Sequence, residues 1–129
     1  MQELRERTYE FSLEIIKLIQ NMPNNQVSKI LGGQILRSGT SIGANVEEAY
    51  SGLTRKEFSY IINISRKESN ETRYWLKLLL NSNIADKEQV KNLLVGIEEL
   101  IKIFTSIVKK CRASLIIILT LNFLLLTCS

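Results

Sequence analysis

The sequence predicts an all-α fold: an antiparallel up-down-up-down four-helix bundle with an apolar C-terminal extension. Three observations carry the prediction. Leu, Ile, Glu, Lys and Asn dominate while Val is scarce, a balance that favours helix over strand. One Pro and six Gly leave few places to break a helix. Apolar residues recur at helical spacing through four segments joined by connections of a few residues, and short connections make neighbouring helices antiparallel.

The first helix is expected from about Glu3 to Asn21, where Leu4, Phe11, Ile15, Leu18 and Ile19 form one stripe. Pro23 stops it. The second runs from about Asn25 to Tyr50, and Ser51-Gly52 closes it. Leu31, Ile35, Ser38, Ile42, Asn45, Val46 and Ala49 share one face of it; Gly32, Leu36, Gly39, Gly43 and Tyr50 share the adjacent one. Thr54 with Glu57 makes a capping box that starts the third helix, which continues to about Leu80. Its core face is Phe58, Ile61, Ser65, Ser69, Thr72, Leu76 and Leu79. Asp86 caps the fourth helix, with heptad-like spacing from Val90 through Leu93, Ile97, Leu100 and Phe104 to Val108. No internal repeat or linker marks a second domain, so residues 1–112 form one bundle.

Residues 113–129 differ in kind. The stretch LIIILTLNFLLLT is apolar and uncharged and follows Lys109, Lys110 and Arg112. It is short for a membrane span. Three readings stand: an extension of helix four packed on the bundle or a neighbour, which the length favours; a membrane anchor; or a tail foreign to the fold, from a shifted reading frame.

RSGTSIGANVEEA, residues 37–49, raises the question of chemistry. Gly33 and Gly39 do not make a phosphate loop, since Thr40 stands where a Lys is needed. Gly39-Thr40-Ser41-Ile42-Gly43 spells a nucleophile elbow, but there is no strand before it and no His anywhere in the chain. Absent His also removes Ser-His-Asp and Cys-His mechanisms and His-ligated zinc. Glu47 and Glu48 are neighbours about 100° apart on a helix and cannot jointly hold a metal. No catalytic residue, metal or cofactor is assigned. Helix packing explains the stretch instead. Each Gly costs about 1 kcal/mol against Ala inside a helix, and Gly32, Gly39 and Gly43 fall on one line, which suits a close-packed neighbour. The small polar middle of helix three is the expected neighbour. Ser38 belongs to the same packing surface, and Asn45 is expected to bond a neighbouring backbone, Ser38 or Ser41.

QILRSGTSIGANVEEAYSGLTRKEF, residues 34–58, resembles the most recognisable stretch of the 23S rRNA intervening sequence protein family. Arg37, Ser38, Ser41, Ile42, Asn45, Glu48, Lys56, Glu57 and Phe58 carry the likeness, and residues 65–79 are similar to one branch's continuation. Ala49 departs from the Gly common there. The likeness covers roughly residues 8–110 and omits the tail. It implies a ring-shaped homo-oligomer, commonly a pentamer, without enzymatic activity. It also implies kinship with accessory proteins of diversity-generating retroelements, which bind nucleic acid and a reverse transcriptase through a basic surface.

Two surfaces are legible on helix three. Taking Arg55 as zero, Arg66, Arg73 and Lys77 lie within about 40° of it, a ridge about 33 Å long. Glu57, Glu68 and Glu71 lie opposite. A solvated basic face is the ordinary explanation of such a ridge; binding of RNA or DNA phosphates is the functional one, and the mild charge of +4 permits it. Tyr60, Ile64, Tyr74, Trp75 and Leu78 form a second apolar stripe, either a subunit interface or the margin of a wide core. The expected function is a non-catalytic homo-oligomer that binds nucleic acid or serves a nucleic-acid enzyme; the alternative is a purely structural protein–protein module. Cys111 and Cys128 read as reduced thiols, Met1 to Arg7 lacks a signal pattern, and a cytoplasmic location is expected.

Overall fold

Four helices form where the apolar periodicity places them. They are α1 (Gln2–Gln20), α2 (Gln26–Ala49), α3 (Arg55–Ser82) and α4 (Lys87–Thr127). The computed structural model of the chain describes residues 2–128, and no strand occurs among them. The starts of α2, α3 and α4 are chemically marked. The side chain of Asn25 accepts from the Ser28 amide at 2.9 Å, Thr54 from Glu57 at 3.2 Å, and Asp86 from Gln89 at 2.9 Å. Each bond satisfies one of the donors a first turn leaves orphaned. Gly52 (φ +87°) and Asn83 (φ 57°) take the left-handed backbone that two of the turns need.

The helices pack in chain order around one core, α2 on α1, α3 on α2 and α4 on α3, while α1 and α4 meet only sparsely. Ile15, Leu18, Ile35, Ile42, Ile62, Leu76, Leu79, Ile97, Leu100 and Phe104 are almost wholly buried. The first turns of α3 bury Ser59 and Ile62, while the expected Phe58 and Ile61 are half-buried beside them, because α3 packs on both α2 and α4 and its buried stripe faces between the two.

The glycine line meets α1, not the polar middle of α3. A Cβ on Gly43 would lie 3.2 Å from the Thr8 carbonyl oxygen, one on Gly39 3.0 Å from Ile15, and one on Gly32 3.6 Å from Ile19. The small residues of α3 instead meet the Ser38–Ile42 face. Ser65 donates to the Ile42 carbonyl at 3.0 Å and Thr72 to Ser38 at 2.9 Å, all within the core. The two faces of α2 therefore serve different partners, which its sequence shows as adjacent stripes without saying which helix takes which. Asn45 donates to the Ser41 carbonyl one turn back, at 2.8 Å.

Helix α4 has no break at residue 112. Burial ends there instead: Val108 is its last buried residue, Ser114 and Leu115 are half-covered, and every residue from Ile116 to Cys128 is exposed. The extension thus continues helix four without packing on its own bundle.

Candidate nucleic-acid interface

The basic ridge of α3 lies along the seam with α4. Arg73 reaches across to Glu98 at 3.0 Å, which fixes the ridge there at the seam, while Arg55 at the bundle end donates to Ser114, about 160° round α4 from Glu98. Arg66 donates to Asn63 at 2.8 Å, one turn back, and is half-buried. Lys77 is exposed and has no side-chain partner among the described residues. The ridge is thus less free than the sequence implied. Arg73 also bonds Asn70 at 3.0 Å, and its charge is largely matched by Glu98.

Helix α4 supplies cations that winding α3 alone could not find. With Glu98 as zero, Lys87, Lys91, Lys102 and Lys109 fall within about 40° of it. All four are exposed. Their signal in the sequence is a spacing of 4, 11 and 7 residues, but it acquires meaning only once Glu98 is known to face Arg73. Two antiparallel helices thereby present one basic band containing a single carboxylate from α4. The acids of α3 point away: Arg37 of α2 pairs with Glu71 and lies 3.5 Å from Glu68. This clamp orients α3 about its axis and leaves the cations outward. A band of this width and length suits a phosphate backbone, and it offers no exposed aromatic among its cations for stacking bases.

The second apolar stripe divides. Tyr60, Tyr74 and Leu78 are exposed. Ile64 is half-covered, and Trp75 packs against the core, so the latter belongs first to the bundle's own margin. Tyr74 and Trp75 make an edge-to-face contact at 5.1 Å. The Trp75 indole N–H is buried without an acceptor among the described residues.

On another side, the sparse α1–α4 contact leaves an open groove of about 480 Å³. Phe11, Leu93, Gly96 and Leu100 floor it, and Glu3, Glu6, Glu10 and Glu14 rim it from α1. Arg7 at its edge is matched by Glu99 at 2.6 Å. Near the tail end of the bundle, Arg5 holds Glu47 at 2.8 Å; that hydrogen bond lowers the carboxyl pKa and raises the guanidinium pKa. Burial raises the nearby Tyr50 phenol. Among the described residues, no group of three or more His, Cys, Asp or Glu could hold a metal ion.

Comparison with known proteins gives a family and leaves its function open. The family described as 23S rRNA-intervening sequence protein matches residues 2–106. A crystal structure of a protein of unknown function from the S23 ribosomal protein family, from Bacteroides thetaiotaomicron, is similar at 39% identity and a TM-score of 0.76. The alignment covers 82% of this chain and 98% of that one. No curated protein matches.

Proposed function

Because the chain belongs to the 23S rRNA-intervening sequence protein family, we propose that it is a non-catalytic, self-associating bundle whose α3–α4 band grips the phosphates of nucleic acid. The observation that carries the reading is the band itself: Arg66 and Lys77 on α3, with Lys91, Lys102 and Lys109 on the Glu98 side of α4 and Glu98 as the one carboxylate α4 places there. Cations fixed on rigid rods release condensed counterions from a polyphosphate without ordering loops. Contacts of this kind position a strand and do not read its bases. RNA is the first probe because the family's description names an rRNA. A nucleic-acid enzyme held beside the bound strand is the partner this arrangement would serve.

Self-association is supported by complementary surfaces on one molecule. The outer side of α3 offers Tyr60, Tyr74 and Leu78; the α1–α4 groove offers an apolar floor with an acidic rim. Different patches that fit each other join copies head to tail, and such contacts close into rings when the rotation allows, a pentamer being one solution. A subunit seated on α3 also supplies surroundings in which the Trp75 N–H can find an acceptor.

The test is RNA binding by the full chain across a salt series. With about four phosphates engaged on a single strand, the logarithm of affinity falls against the logarithm of salt with a slope of roughly −3. Arg66→Glu with Lys102→Glu abolishes binding while the helical circular dichroism is unchanged. No binding at low salt, or an affinity indifferent to salt, overturns the nucleic-acid role and leaves the protein–protein module.

A further inference from the structure

The C-terminal extension has a separate use. We propose that the end of α4 is a membrane anchor that crosses a lipid bilayer and leaves the bundle on the side of Lys109, Lys110 and Arg112.

From Ile116 to Leu126, apolar side chains point in every direction around the helix at 100° per residue. Their exposures run from 45% at Ile118 to 76% at Leu126. A partner helix or a protein groove covers one stripe of a helix, as the core-facing stripes of α1 to α3 show; a rod that is apolar all round requires a solvent that is apolar all round. An amphipathic helix lying on the membrane surface would need a polar face, and this one has none. Helix α4 is long and apolar enough to cross a membrane by length and composition, and the segment that makes it so has no part buried in the bundle.

Two of the run's three polar side chains agree. In hydrocarbon every hydrogen-bonding group needs an internal partner. The Thr120 hydroxyl donates to the Ile116 carbonyl at 2.9 Å and Thr127 to the Leu124 carbonyl at 3.0 Å. The Asn122 amide makes no such bond among the described residues, a cost the apolar residues around it have to offset.

Charge gives the orientation. Lys109, Lys110 and Arg112 immediately precede the run, and no Asp or Glu follows Glu99. Cations at the foot of an apolar helix meet anionic headgroups and mark the cytoplasmic side. The uncharged run, residues 113–127, rises about 22 Å, roughly 8 Å less than a hydrocarbon core of about 30 Å. Local thinning and the reach of Lys110 and Arg112 side chains close that difference. Crossing also lets the last carbonyls of α4 meet water on the far side.

The experiment mixes the full chain with vesicles of phosphatidylcholine and phosphatidylglycerol and floats them on a density gradient. The chain floats with the vesicles and stays with them through molar salt and alkaline carbonate. Replacing Lys109, Lys110 and Arg112 by Gln weakens the preference for anionic over purely phosphatidylcholine vesicles. Ile117→Glu, Leu121→Glu and Leu125→Glu together lower partitioning by about a hundredfold or more, each charge at mid-bilayer being that costly, with the helical content unchanged. Release by salt alone, flotation of the triple variant, or an unassociated chain of defined solution mass whose tails cover one another would each overturn the anchor. The RNA-binding variant of Arg66 and Lys102 floats as the parent does, so the two proposals fail independently.

Discussion

Gly43→Ala set against Gly33→Ala measures how closely α2 approaches the backbone of α1. Both glycines lie inside α2, so each substitution gains about 1 kcal/mol of helix propensity. Their surroundings differ. A Cβ on Gly33 meets nothing within 4 Å, whereas one on Gly43 lies 3.2 Å from the Thr8 carbonyl oxygen and 3.4 Å from the Ser12 hydroxyl. That carbonyl is main chain and already accepts from Ser12 at 3.0 Å, so it cannot turn aside. Helix α1 has to retreat by a few tenths of an ångström, which loosens Phe11 and Ile15 in the core. Overpacking of this kind costs roughly 1–3 kcal/mol. Gly33→Ala is therefore expected to stabilise by up to about 1 kcal/mol. Gly43→Ala is expected to range from neutral to about 2 kcal/mol destabilising. Urea denaturation followed by circular dichroism at one protein concentration reads the difference, the concentration being fixed because subunit association adds to apparent stability. If Gly43→Ala stabilises as much as Gly33→Ala, α1 and α2 do not touch backbone to backbone there.

Further predictions follow from individual contacts. Thr72→Val removes the bond to Ser38 and costs about 1 kcal/mol, whereas adding Ser38→Ala to it costs less than the two singles summed, a coupling readable in a double-mutant cycle. The Arg5–Glu47 pair makes its contribution above pH 4.5, the ordinary value for the carboxyl, and loses it as pH falls through the lowered folded value. The melting-temperature gap between wild type and Glu47→Gln therefore narrows in acid, and it narrows at neutral pH in high salt because both groups are exposed. Tyr74→Glu with Leu78→Glu lowers the solution mass measured by light scattering and leaves the helical content intact; an unchanged mass rejects α3 as an interface. Trp75→Glu is a poorer probe because Trp75 also packs on the core, so its loss reports folding and association together.

What the sequence determines is what local physics determines. Asn25, Thr54 and Asp86 accept amides within their own first turns, so helix starts are readable without any neighbour. The order of four helices follows from apolar spacing, and the absence of His removes whole classes of chemistry. Family membership was legible in residues 34–58 for the same reason: the motif is contiguous. Tertiary structure decided everything that depends on which faces meet. The glycine line could have served either neighbour; it serves α1, while Ser38 and the Ile42 carbonyl on the other face of α2 take the buried hydroxyls of α3. Arg73 looked free until Glu98, 25 residues away, came within 3.0 Å of it. Lys87, Lys91, Lys102 and Lys109 joined the band only because α4 lies beside α3. The tail was apolar on paper, but only the fold shows that nothing in the bundle covers it. Periodicity names the faces of a helix; the identity of the surface opposite each face is a property of the assembled rods.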